Sequence, residues 1–191
     1  MNYGETLTYW YLRLNGFIPM RNFVLHHENI DAEQSADADL LAIRFPHVYE
    51  AIGGRPDDWD NERFGNWGLD LARSLALIVE VKTGAVDREE KWWRQERIRA
   101  GVQRLGMFPE ASVPEIVREL ENTTMVHRES WTVAKLLVTD RPVRDRSSLI
   151  LNLADADEFI WQRIHKFKDA KLADRLRFPD DLMQYLAWKV I

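Results

Sequence analysis

Leu75-Ala76-Leu77-Ile78-Val79-Glu80-Val81-Lys82 is the stretch that decides how this chain is organised. A continuous apolar run of this length, closed by Thr83-Gly84, predicts a strand covered on both faces. Side chains alternate along a strand, so Glu80 and Lys82 share one face. A carboxylate and an ammonium at the end of such a strand are costly to bury unless paired, hydrated or bound to a metal. Two environments satisfy them: a site where the carboxylate holds a metal ion and the lysine meets an anion, or a strand end in solvent with an incidental ion pair. In a chain that is 30% charged, Glu-x-Lys by itself favours the strand end in solvent.

Further carboxylates stand upstream. Asp39 leads directly into Leu40-Leu41-Ala42-Ile43, a second short apolar run, so it marks the mouth of a buried strand. If that strand pairs with the Leu75 strand, Asp39 approaches Glu80. Adjacent carboxylates repel and raise each other's pKa, and a divalent cation removes the conflict. Mg²⁺ in particular takes few carboxylates, several waters and substrate phosphates. A turn or capping role suits Asp39 as well, and Asp37 is read as a turn residue. Glu5 opens a predicted helix in which Leu7, Trp10 or Tyr11, and Leu14 recur at helical spacing, with Asn15-Gly16 as the stop. A glutamate there also suits the positive end of the helix dipole.

Glu5 in a first helix ending Asn15-Gly16-Phe17, then Asp39 opening a strand, then Glu80-Val81-Lys82, resembles the PD-(D/E)xK nuclease superfamily. The helix glutamate and the Gly-Phe step look most like its archaeal Holliday-junction-resolvase and Mrr-type restriction branches. The likeness covers roughly residues 3 to 105. Ala38 stands where a family proline often precedes the aspartate, and the segment between Asp39 and Glu80 is longer than the family's usual tight connection. The resemblance implies an α/β fold: a restriction-endonuclease-like core with a central mixed β-sheet flanked by helices. It also implies a metal-dependent endonuclease that hydrolyses phosphodiester bonds in DNA. Asp39, Glu80 and the Val81 carbonyl would hold Mg²⁺ or Mn²⁺, with Glu5 completing the site directly or through water. Lys82 would position or help deprotonate the attacking water.

The segment Asp87 to Leu105 reads as a helix with Ile98, Val102 and Leu105 on its buried stripe. Gln95 falls on the same stripe, and an inward glutamine needs partners. Several branches of the superfamily carry a glutamine or basic residue on this helix near the metal, so Gln95 is the candidate, with a bond to loop backbone as the alternative. Arg94 and Arg99, with Arg97 and Arg104 on the same helix, are candidates for phosphate contacts. Glu89, Glu90 and Glu96 are interleaved with them, and a solvated face of salt bridges is the competing reading. Trp92-Trp93 either stack on bases or pack against protein.

Composition bounds the function. A chain of 191 residues that is 46% hydrophobic builds one sizeable core. A single nuclease-like domain is therefore expected over 1–191, with a core over about 3–153 and a helical C-terminal extension over about 154–191. With no cysteine, disulfides and thiolate metal sites are excluded. Met1-Asn2-Tyr3-Gly4-Glu5 lacks the basic start and apolar core of a signal peptide, and no run reaches the length of a membrane span. A cytoplasmic protein with no membrane partner is expected. The net charge of −5 weighs against tight nonspecific nucleic-acid binding, although Lys and Arg gather after Arg88 and again from Arg141 to Arg177, which can form one basic face. DNA is the expected partner ahead of RNA, with a homodimer left open. The alternative function is a catalytically inactive nuclease-fold protein that binds nucleic acid or a protein partner.

The predicted order is helix 3–15, strands 17–26 and 39–45, an irregular segment 46–71, strand 75–82, helix 87–105, a helix at Val113 to Asn122, strands 123–127, 132–139 and 148–153, helix 155–167, and a last helix starting at Pro179-Asp180-Asp181. The 46–71 segment is longer than most core connections. It reads either as a substrate lid or dimer contact, or as a disordered acidic insertion. The histidines His26, His27, His47, His127 and His165 are scattered, no Gly-rich phosphate loop is present, and Ser147-Ser148 lacks the glycine frame of a nucleophile elbow.

Overall fold

The computed structural model describes residues 2–21, 38–84, 92–172 and 180–189. Helix α1 (Tyr3–Leu14) starts at Asn2, whose side chain accepts from the Glu5 N–H, and stops at Asn15 and Gly16, where φ is +81°. Strands β1 (Ile18–Arg21) and β2 (Leu40–Arg44) follow, then α2 (Asn61–Asn66), β3 (Ser74–Lys82), α3 (Gln95–Leu105) and α4 (Val113–Asn122). A hairpin of β4 (Met125–Arg128) and β5 (Trp131–Thr139) leads to β6 (Leu149–Asn152), α5 (Leu153–Lys166), α6 (Lys168–Leu172) and α7 (Asp181–Lys189). Among the described residues no helix is long and apolar enough to cross a membrane.

The result is an α/β architecture with an open, mixed six-stranded sheet. Strand β2 runs antiparallel to both β1 and β3, whereas β3 runs parallel to β5 from Ser74↔Trp131 to Lys82↔Thr139. The parallel pair needs a long crossover, which α3, α4 and β4 supply. The far edge of β5 is shared: β4 pairs with its first half and β6 with its second.

Alternation sorts the core into two layers. Leu75, Leu77, Val79 and Val81 of β3 pack with Leu7, Tyr11, Ile160, Ile164 and Met183, so α1, α5 and α7 cover one face. Ala76 and Ile78 pack with Ile98, Val102, Ile116 and Leu120, so α3 and α4 cover the other. Helix α5 thus contributes Ala156, Ile160 and Ile164 to the main core.

The segment expected to be irregular is largely folded. It holds a 3₁₀ turn at Pro56–Asp58 and the helix α2, and it buries Phe64 and Leu69 in the main core. Asp60 ties it down three ways: its carboxylate accepts from Tyr11 Oη at 2.7 Å, its N–H donates to Asn15 Oδ1 at 2.8 Å, and it caps α2. Two buried guanidiniums hold the same region by backbone carbonyls. Arg44 donates to Asn15 and Leu71, and Arg163 to Leu14 and Gly53. Burial of a phenylalanine side chain contributes about 1.5–3 kcal/mol, so Phe64 alone goes far towards docking this arm.

The helix expected from residue 87 is helical only from Gln95 among the described residues, with Trp92, Trp93 and Arg94 non-helical. The expected positions of Asp37, His26, His27, residues 87–91 and Pro179 lie outside the described residues.

Candidate active site

The β2–β3 register pairs Leu40 with Val79. One step further, Asp39 stands opposite Glu80, on the sheet face that α3 and α4 cover. The ladder ends here because β2 begins at Leu40. The Asp39 side chain takes over, with Oδ2 accepting the Val81 N–H at 2.6 Å. This cap fixes Asp39 beside Glu80, which is the approach anticipated from the two apolar runs.

Glu80 is 2% exposed. Its Oε1 meets Lys82 Nζ at 2.7 Å and Arg97 Nη1 at 2.6 Å, while its Oε2 is buried without a hydrogen-bond partner. Burial, and after it the Asp39 carboxylate, push the Glu80 pKa above the usual carboxylate range, against the pull of Lys82 and Arg97. A carboxylate oxygen left in this state forfeits a hydrogen bond's worth of stabilisation. It is the kind of acceptor that a cation or a donor-bearing ligand satisfies.

Arg97 is brought in by α3. The helix sits close to β3 because Gly101 faces Ile78; a Cβ there would stand 2.9 Å from Ile78 Cδ1. Arg97 lies one turn before Gly101, on the same inward side, and its Nη1 also donates to the Trp92 carbonyl at 2.8 Å. That spacing was the available signal: an arginine four residues before a buried glycine in the helix stripe calls for a carboxylate on the strand below.

The other predicted residues are placed differently. Gln95, expected on the inward stripe, is exposed, and its Nε2 donates to Glu121 Oε2 at 3.3 Å. The packed stripe begins at Ile98, and the first turn of α3 runs beyond it towards the end of α4. Arg94 and Arg99 are both exposed. The Val81 side chain is buried in the opposite core layer. Glu5 lies in the first turn of α1, on that same opposite face. Gly4 brings this turn against β3, where a Cβ would stand 2.7 Å from Thr83 Cγ2 and 3.0 Å from Val81 Cγ1. The Glu5 carboxylate accepts from Asn2 Nδ2 at 2.8 Å, closing the helix start.

Lys135 was not singled out from the sequence. It lies on the Glu80 face of β5, paired with Ile78, and is fully buried with no hydrogen-bond partner for Nζ. The Trp93 ring lies 5.6 Å from Nζ. Burial lowers its pKa to about 8, against the opposing effect of Asp145 and Glu121. An ammonium inside an otherwise regular strand alternation, Val133-Lys135-Leu137, was its visible mark.

Among the described residues, no group of three or more His, Cys, Asp or Glu side chains is gathered as a metal cage. Asp39 and Glu80 nevertheless offer two hard carboxylates with one buried oxygen open, and one or two carboxylates plus waters and substrate phosphate are what Mg²⁺ uses. The donor set fits a cation of that kind. No family model, curated protein or solved structure matches the chain.

Proposed function

We propose that this chain is a metal-dependent endonuclease of the PD-(D/E)xK type, with a restriction-endonuclease-like core, that hydrolyses phosphodiester bonds in DNA. The observation that carries the reading is the buried, unpartnered Oε2 of Glu80 in a corner shared with Asp39, Lys82 and Arg97. Asp39 and Glu80, with the Val81 carbonyl, hold Mg²⁺ or Mn²⁺ in this scheme. When bound, the cation supplies Lewis acidity and lowers the pKa of a coordinated water. Lys82, a quarter exposed and anchored on Glu80, orients the attacking water and offsets the charge that grows on the phosphoryl oxygens. Arg94, just before α3, and Arg99, on its first turns, are exposed, where they reach the nucleic-acid backbone. Glu5 would act only through water, since its carboxylate serves the helix cap. A cytoplasmic location belongs to the same reading, with a homodimer left open.

The test is Mn²⁺- or Mg²⁺-dependent cleavage of linear, nicked, branched and single-stranded DNA, abolished by EDTA, with RNA as the comparison. One observation favours a second reading, a noncatalytic nuclease-fold binding protein: Lys82 and Arg97 already neutralise Glu80 without an ion. Retained DNA binding with no cleavage of any substrate supports that second reading.

A further inference from the structure

Among the described residues, the charges in contact around Glu80 balance without any ion. Asp39 and Glu80 supply two negative charges, and Lys82 and Arg97 two positive ones. Both cations meet the same oxygen, Oε1. Lys82 belongs to the strand itself, two residues on and on the same face. Arg97 reaches in from α3, and its grip is narrow: Nη1 serves both Glu80 and the Trp92 carbonyl, and Nε is buried without a partner. A divalent cation held by Asp39 and Glu80 would add two positive charges beside Lys82 and Arg97 in a half-buried setting, where like charges repel strongly. A phosphodiester arriving with the cation lowers that excess. It also offers the guanidinium two oxygens in the planar arrangement that arginine matches best.

We propose that Arg97 is a positioning residue that stands in for the cation's charge at Glu80 while substrate is absent and transfers its guanidinium to a substrate phosphate when cation and phosphodiester bind together. This inference rests on the metal-dependent reading of the corner. It makes cation binding and phosphate binding mutually reinforcing, and by linkage the reinforcement is equal in both directions. The empty protein holds Mg²⁺ and Mn²⁺ weakly because Arg97 occupies their electrostatic role. Removing the Arg97 charge therefore strengthens cation binding in the absence of DNA, whereas loss of a merely structural ion pair would loosen the corner and weaken it.

The experiment titrates the full chain with Mn²⁺ alone, following free Mn²⁺ by electron paramagnetic resonance and the melting temperature in parallel. Arg97→Gln keeps a donor to Glu80 but removes the charge, and Arg97→Met removes both; each is expected to bind Mn²⁺ about tenfold tighter than wild type. Arg97→Lys keeps the charge and is expected to bind as wild type does. The double variant Glu80→Gln/Arg97→Gln is expected to lose the gain, locating it at this corner. With DNA and saturating Mn²⁺, Arg97→Gln is expected to show a raised KM and a lowered kcat. Mn²⁺ binding in Arg97→Gln that is no tighter than wild type overturns the proposal, as does equal tightening in Arg97→Lys or in the double variant. Failure of the nuclease reading shows itself separately, as absence of Mn²⁺-dependent cleavage by wild type whatever the Arg97 variants bind.

Discussion

The two faces of the sheet treat the same strands in opposite ways. On the face covered by α1, α5 and α7, β3 presents Leu75, Leu77, Val79 and Val81, and β5 presents Ala134, Leu136 and Val138, apolar throughout. On the face covered by α3 and α4, the apolar Ala76, Ile78 and Val133 give way to Glu80, Lys82 and Lys135. The first face is built mainly for stability, since its buried aliphatic and aromatic side chains gain by leaving water. The second gives up stability to keep charged groups inside, a cost that proteins commonly accept at functional sites. Arg44 and Arg163, buried on the well-packed side, each donate to backbone carbonyls that pin a loop and leave one nitrogen unpartnered, whereas the open atom of Glu80 is a carboxylate oxygen, an acceptor suited to a cation.

Substitutions on the two faces should therefore fail in different assays. The largest effect is expected for Lys82→Ala on the charged face. Cleavage should fall about 10³-fold, equivalent to about 4 kcal/mol of transition-state stabilisation, while DNA binding changes far less. Equal losses in cleavage and binding would mark Lys82 as a phosphate anchor instead. Leu77→Ala on the apolar face should do the reverse. It should cost about 3 kcal/mol of folding free energy, seen as a lower denaturation midpoint, with the specific activity of the folded fraction kept. A large loss of activity per folded molecule would break the division between the faces.

Lys135→Met sharpens the comparison by turning the charged face towards the apolar one. Replacing a buried charge by an apolar side chain of similar length is often stabilising, and a gain of about 2 kcal/mol is expected, read as a higher melting temperature. The pH dependence follows from the lowered pKa. Lys135 titrates at about 8 in the folded protein, below its unfolded value of about 10.4. Between those two values the unfolded state binds more protons, so wild-type stability should rise with pH across that window. Lys135→Met should flatten the rise; an unchanged slope would assign it to other groups.

Glu80→Gln is expected to have the smallest effect on stability. The raised Glu80 pKa means that its charged form is disfavoured in the fold, so the metal-free variant should melt slightly higher than wild type. Mn²⁺ should then shift wild type and leave the variant unmoved. An equal Mn²⁺ shift in both would remove Glu80 from the ligand set.

Much of this contrast is visible in the chain before folding. The run Leu75–Val81 announces a strand covered on both faces, and Pro114 followed by Ile116, Val117 and Leu120 announces α4 at Val113–Asn122. The start of α3 is not legible. Trp92, Trp93 and Arg94 carry no breaker, and the same stripe continues through Gln95, yet the buried stripe of the helix begins only at Ile98, with Trp93 packing on that core from outside the helix. The arm between β2 and β3 is misjudged for a similar reason. Its acidic, glycine-rich composition reads as irregular, while its docking depends on Phe64 and Leu69 finding the α1 layer and on Tyr11 meeting Asp60.

The sequence by itself determined the strand order of the motif, the shared face of Glu80 and Lys82, and the position of Asp39 at a strand mouth. Each of these follows from local alternation and from the cost of burying charge. Only the tertiary structure decided that Asp39 stands opposite Glu80 and caps the Val81 N–H, that Arg97 rather than Gln95 reaches the carboxylate, and that Lys135 shares its face. Those outcomes depend on the register between distant strands and on how closely Gly101 lets α3 approach Ile78. Such distances are set by packing between segments far apart in the chain, which no local pattern of residues encodes.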